Sequence, residues 1–178
     1  MHGMKRFLVF ALFCCGLALA LDVGSSPVLP KSLTDSFGNT HTLQKNTWKV
    51  FFFYPRAASS GCTAQNIEYT KFYPDFIKAS TQVFGVSSDD AKAQCAFVAN
   101  SKLKVPQIPN ATNTLGKTFE VVPLFGMLSR DTFIVSPDGE VAAIRRGVNA
   151  VSDASEALKF IQGNGNCKAL TSGMNSCK

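Results

Sequence analysis

Histidine and tryptophan are nearly absent from this chain, with two His and one Trp in 178 residues. No Cys-x-x-Cys pair occurs anywhere, charged residues reach only 17 %, and there is no internal repeat or low-complexity run. Each absence excludes something. His2 stands in an N-terminal leader and His41 in an expected edge strand, so no histidine-based metal centre is expected. Without Cys-x-x-Cys a disulfide oxidoreductase is a weak reading. Few charges against 46 % hydrophobic residues exclude a disordered chain, and the length suits about one packed domain. The fifteen Phe residues point to an aromatic core.

Long apolar runs are also lacking, with one exception at the start. Residues Phe7–Leu21 read FLVFALFCCGLALAL behind Lys5 and Arg6, and Ala18-Leu19-Ala20 closes the run. Fifteen residues fall short of the ~20 that a membrane span needs. A positive start, a short apolar core and small residues at the end describe a secretory signal peptide, residues 1–20, cleaved after Ala20. A bacterial lipoprotein signal fits poorly, because Phe13 precedes Cys14. The expected compartment is the secretory pathway: secreted, endoplasmic reticulum lumen or bacterial periplasm. No membrane association is expected after cleavage.

The net charge of +6 falls to +4 as Lys5 and Arg6 leave. The remaining bases are scattered, and the only tight pair is Arg145-Arg146. That pattern reads as a solvated surface, not a nucleic-acid footprint. Four cysteines remain: Cys62, Cys95, Cys167 and Cys177. In an oxidising compartment each is a disulfide candidate, and four allow three full pairings. Cys167 and Cys177 close a short polar loop, where a structural disulfide is expected. Asn110-Ala111-Thr112 is a glycosylation sequon if the pathway is eukaryotic.

Two prolines in Leu21–Lys31 predict an extended lead-in, and Gly38-Asn39 predicts a short hairpin. Trp48–Tyr54 (WKVFFFY) and Gln82–Ser87 (QVFGVS) read as strands buried on both faces. Between them, Tyr69, Phe72, Tyr73, Phe76 and Ile77 have helical spacing, with Pro74 expected to kink the helix. Asp89 or Asp90 caps a second helix to about Lys102. The two prolines of Val105–Asn110 predict a loop, and Asn113–Val121 predicts a short helix. Asp131–Ser136 and Val141–Arg145 are strands joined at Pro137-Asp138-Gly139. A last helix spans Ser152–Gln162, before a polar tail over residues 163–178. This order predicts an α/β domain at residues 21–162: a thioredoxin-like mixed central sheet with helices on both faces. A site is then expected at the carboxyl ends of the strands, where the Pro55–Cys62 loop lies.

Cys62 opens a helix there. Unpaired N–H groups in a first helical turn favour a thiolate. Ser59 is placed to hydrogen-bond toward the sulfur, and Pro55 and Gly61 shape the turn.

The stretch Phe53-Tyr54-Pro55-Arg56-Ala57-Ala58-Ser59-Ser60-Gly61-Cys62-Thr63 resembles the peroxiredoxin signature P-x-x-x-[T/S]-x-x-C. Its wording is closest to the bacterioferritin-comigratory, or peroxiredoxin Q, branch. Gly85-Val86-Ser87-Ser88-Asp89 resembles that branch's G-V-S-x-D. Val105–Asn110 stands where it has F-P-L-L-S-D. Arg130-Asp131-Thr132-Phe133 with Pro137-Asp138-Gly139 resembles R-x-T-F-x-I-x-P-D-G. The resemblance runs from about Pro27 to Gln162.

The resemblance implies a thiol-dependent peroxidase of hydrogen peroxide and organic hydroperoxides, serving antioxidant defence without cofactor or metal. Cys62 would be the peroxidatic cysteine, becoming a sulfenic acid. Ser59 would bind the peroxide, Arg130 would hold the sulfur anionic and polarise the O–O bond, and Pro55 would shield the pocket. The partners implied are the peroxide and a thiol reductant, such as a thioredoxin-like protein or glutathione. A monomer or weak dimer is expected, with no nucleic acid. Two departures stand out: Ser60 replaces the usual Pro, and Ile67 stands where the branch often has its resolving cysteine. Some members use a cysteine in the next helix, which makes Cys95 the resolving candidate. Its spacing with Ala91, Val98 and Ala99 also suits an ordinary core cysteine. The rival to enzyme function is a catalytically silent thioredoxin-fold binding or holding protein of the secretory pathway.

Overall fold

The computed structural model describes residues 21–109, 111, 114–121 and 123–170, with backbone alone for 124 and 165–170. The expected signal peptide at 1–20 and the sequon's Asn110 lie outside the described residues. So do the Cys167 side chain and Cys177, and with them the expected disulfide.

Strands β1 (Ser32–Thr34) and β2 (Thr40–Thr42) form the expected antiparallel hairpin. Gly38 makes its turn with φ +85°, and the Asp35 carboxylate accepts the Phe37 and Asn39 N–H groups at 2.9 Å. The chain then enters β3 (Trp48–Phe53), α1 (Ser60–Lys78) and β4 (Thr81–Val86). It continues through α2 (Ala91–Ser101), β5 (Gln107–Ile108), the single turn α3 (Leu115–Thr118) and the hairpin β6 (Pro123–Leu124) and β7 (Met127–Leu128). β8 (Thr132–Val135), β9 (Val141–Arg145) and α4 (Asp153–Leu170) complete it. The central sheet has the order β5-β4-β3-β8-β9. Its β3–β4 and β4–β5 pairs are parallel, and β3–β8 and β8–β9 antiparallel.

Strand β3 explains the architecture. Val50, Phe52 and Tyr54 join one apolar cluster, while Phe51 and Phe53 join another. Alternation sends successive side chains to opposite faces, so an unbroken apolar run needs cover on both sides. The two covers differ. Residues of α1, α2 and α4 (Tyr69, Phe76, Phe97, Ala154, Leu158) fill the first cluster. Leu33 of the hairpin, Leu115 of α3 and Phe119 fill the second. Helices do lie on both faces, and among the described residues the second face carries the short α3.

Some expectations need correction. The Val105–Asn110 segment is not all loop. Its two non-proline residues between Pro106 and Pro109 form β5, because proline lacks a donor but can still accept; Pro106 O takes the Gly85 N–H at 3.0 Å. The last helix runs past Gln162 to Leu170, so the first part of the expected polar tail is helical. The expected helix around Pro74 is present as α1, which carries that proline inside its 19 residues. Ile77, assigned to its apolar face, is 58 % exposed. The β6–β7 hairpin has no counterpart in the sequence reading.

Candidate active site

The site lies beyond the carboxyl ends of β3 and β4. Tyr54 N–H bonds Val86 O at 3.0 Å, and the chain then turns through the half-buried Pro55. Asp89 holds this loop. Its Oδ2 accepts the Ala57 N–H at 2.7 Å and the Ser87 hydroxyl at 2.8 Å. Asp90 takes the cap of α2 by accepting Ala93 N–H at 2.7 Å. The two adjacent aspartates therefore divide the work that the sequence left open between them.

Cys62 is the third residue of α1, fully buried and a free thiol. Arg130, in the segment between β7 and β8, reaches it with Nη2 at 3.4 Å from Sγ. Its Nη1 donates to Gln65 Oε1 at 2.6 Å and to Gly61 O at 3.4 Å. Gly61 leaves room for this approach, since a Cβ there would stand 3.1 Å from Nη2. The next residue anchors the arginine's backbone. Buried Asp131 accepts from the Ser129 hydroxyl at 2.6 Å, Arg146 Nη1 at 2.8 Å and Gly147 N–H at 3.0 Å.

The structure thus brings Cys62 and Arg130 together, 68 positions apart in sequence. Pro55 borders the same loop. Ser59 does not point its hydrogen bond at the sulfur; its hydroxyl donates to Arg56 O at 3.1 Å. Cys95 sits half-buried on α2, also a free thiol, donating to Ser36 O at 2.7 Å. The Arg145-Arg146 pair is not simply a solvated surface. Arg145 pairs with Asp153 and Glu156, and Arg146 with Asp131, over the Phe133 ring.

Three contributors were missed by the sequence reading: Gln65, Asp89 as loop anchor, and Asp153. Gln65 had a signal, because a residue three positions after Cys62 in a helix shares its face. Among the described residues, no group of three or more His, Cys, Asp or Glu could hold a metal ion.

A charged donor beside a thiol at a helix start suits attack on a peroxide bond, where negative charge moves onto the departing oxygen. Comparison with known proteins bears directly on this chemistry. The model of the AhpC/TSA family matches residues 29–144. The chain belongs to the AhpC/TSA family of peroxiredoxins. It is 28 % identical over 141 residues to the peroxiredoxin Bcp of Xanthomonas campestris, covering 75 % of this chain and 88 % of that one. It is 31 % identical over 144 residues to the chloroplastic peroxiredoxin Q of Sedum lineare, covering 78 % and 77 %. Among solved structures, the bacterioferritin comigratory protein of X. campestris superposes with a TM-score of 0.70 at 27 % identity, covering 81 % and 97 %. A mutant of peroxiredoxin Q from Xylella fastidiosa gives 0.76 at 24 % identity, covering 83 % and 99 %, and shares the fold. The branch is that of Bcp and peroxiredoxin Q, the fold is thioredoxin-like, and the chain is a thiol-dependent peroxidase. The silent binding or holding protein is not favoured.

Proposed function

We propose that the mature protein is an exported peroxiredoxin that uses Cys62 as peroxidatic and Cys95 as resolving cysteine. The contact between Arg130 Nη2 and Cys62 Sγ carries the peroxidatic assignment. The Cys62 thiolate attacks one peroxide oxygen, the O–O bond breaks, and the products are a Cys62 sulfenic acid and an alkoxide or hydroxide. The leaving group takes up a proton and departs as alcohol or water. Because Cys62 is fully buried, the peroxide gains access only as the 55–59 loop yields, and Ser59 and Pro55 meet it there. The X. campestris bacterioferritin comigratory protein is described as having alkyl peroxide reduction activity, which supports organic hydroperoxides as substrates beside hydrogen peroxide.

Resolution follows by attack of the Cys95 thiol on the sulfenic sulfur, forming a disulfide and releasing water. Two external thiols, from a thioredoxin-like protein or glutathione, then return both cysteines to the reduced state. Free Cys95 on the next helix in sequence and Ile67 in place of a nearer cysteine support this role. Export is supported by the apolar run over residues 7–21 and by Ala18-Leu19-Ala20.

One experiment tests the scheme. Mature wild type is expected to consume hydrogen peroxide in stopped-flow assays, and Cys62→Ser, equally folded, is expected not to. After one equivalent of peroxide, non-reducing digestion is expected to yield a peptide linking Cys62 to Cys95. Turnover by Cys62→Ser at the wild-type rate overturns the peroxidatic assignment. Cys62 found only as sulfenic or sulfinic acid beside free Cys95 overturns the two-cysteine scheme.

A further inference from the structure

We propose that Asp153, the first residue of α4, is a positioning residue for peroxide reduction: it fixes the Gln65 amide so that its oxygen always faces Arg130. The proposal rests on the peroxidase activity assigned to Cys62 and extends the machinery two residues beyond it. Asp153 is fully buried. Its Oδ2 accepts from Gln65 Nε2 at 2.8 Å, the Tyr69 hydroxyl at 3.0 Å and the Thr132 hydroxyl at 2.7 Å. Its Oδ1 faces Arg145 Nη1 at 3.3 Å.

A glutamine amide has nearly the same shape in either orientation, and only its partners distinguish the oxygen from the nitrogen. Here the partners at its two ends are opposite in kind. Arg130 Nη1 can only donate and meets Oε1 at 2.6 Å. A carboxylate can only accept, and it meets Nε2. Turning the amide over would set donor against donor at the half-buried Arg130 and acceptor against acceptor at the fully buried Asp153, where such a mismatch is costly. Asp153 therefore excludes the orientation that would push Arg130 away from its present contact with Cys62. Asp153 itself is held from three elements: Tyr69 on α1, Thr132 on β8 and Arg145 on β9. Glu68 also ties the start of α4 to α1, accepting Ala154 N–H at 2.9 Å and Ser155 N–H at 3.4 Å.

The test is a rescue. In Asp153→Asn the new amide can offer Gln65 either nitrogen or oxygen, so orientation is no longer dictated. The rate of Cys62 oxidation by hydroperoxide is expected to fall about tenfold. Adding Gln65→Glu supplies a side chain with acceptors at both ends. It can accept from Arg130 and from the asparagine NH2, and the double variant is expected to recover to within about threefold of wild type. Both variants lose the same charge opposite Arg145, so a merely structural Asp153 would leave them equally slow. Alkylation of Cys62 by iodoacetamide, which needs no peroxide, is expected to follow the same order. A wild-type protein inert to peroxide but keeping that alkylation order would fail the peroxidase assignment and support the linkage. A wild-type rate in Asp153→Asn, or a double variant no faster than Asp153→Asn, overturns the proposal. If circular dichroism shows Asp153→Asn unfolded, the double variant decides alone. A folded double variant reacting within about threefold of wild type supports the linkage; an unfolded or slower one overturns it.

Discussion

At the scale of single residues, the proposed mechanism rests on one long-range contact. Arg130 brings a permanent charge to within 3.4 Å of the Cys62 sulfur, where charge shifts as the O–O bond breaks. Removing one preorganised donor of this kind costs on the order of 10²–10³ in rate. Arg130→Met is expected to slow peroxide oxidation of Cys62 by about that factor while leaving the melting temperature within a few degrees, read by stopped-flow and calorimetry. An unchanged rate would show that the arginine is not acting on the sulfur. Cys62 and Arg130 were both legible in the sequence, because each lies in a local motif. Asp153 was not, since it meets Gln65 across 88 positions and no periodicity encodes such a meeting. Ser59 was legible as a residue, but its hydroxyl partner was not: a loop serine has several nearby carbonyls to choose among, and here it takes Arg56 O.

At the scale of elements, the β1–β2 hairpin turns on one carboxylate. Asp35 is buried, which pushes its carboxyl up. Hydrogen bonds from His41, Asn39 and Phe37 outweigh this, and the net shift is below the usual 3.8. A depressed carboxyl contributes stability that is present above its unfolded value and is lost as pH falls through the folded one. Asp35→Asn is therefore expected to be less stable than wild type at neutral pH and to lose less on acidification from about pH 5 to pH 2. Urea unfolding at a series of pH values checks this, and parallel curves for the two proteins would contradict it. Most elements of the fold were legible, and the reasons are physical. Both central strands appeared as apolar runs, the Asp89-Asp90 pair marked a helix start, and Gly38 marked a turn. The two-residue strand β5 was hidden by Pro106 and Pro109, because its pairing uses carbonyls that proline still supplies. The β6–β7 hairpin was hidden because two paired residues carry no alternation to detect. The end of α4 was misplaced because Gly163 and Gly165 disfavour helix locally, yet the helix continues past them.

At the scale of the whole molecule, a rigid layer and two releasable attachments meet at the site. β3 is hydrogen-bonded on both edges, by β4 and β8, and its Phe51, Phe52 and Phe53 are fully buried. The elements bearing the cysteines are held differently. The Cys62 turn is tied by Thr63 N–H to Ser59 O at 2.8 Å and by Asn66 Nδ2 to Cys62 O at 3.0 Å. Cys95 is tied to the hairpin through Ser36 O. A disulfide requires α-carbons within about 7 Å, and in the present arrangement each sulfur is engaged with a different partner. In the proposed resolution step, bond formation between them releases both ties, and such openings draw on the segments of lowest local stability while the core stays closed. Hydrogen exchange of the reduced and peroxide-oxidised protein is expected to differ in two places only. Amides of Ser60–Asn66 and Ala93–Phe97 should lose protection on oxidation, while those of β3, β4 and β8 keep it. Equal protection of the two segments in both redox states would mean that resolution needs no local unfolding. Loss of protection throughout β3 would mean that the sheet opens as well.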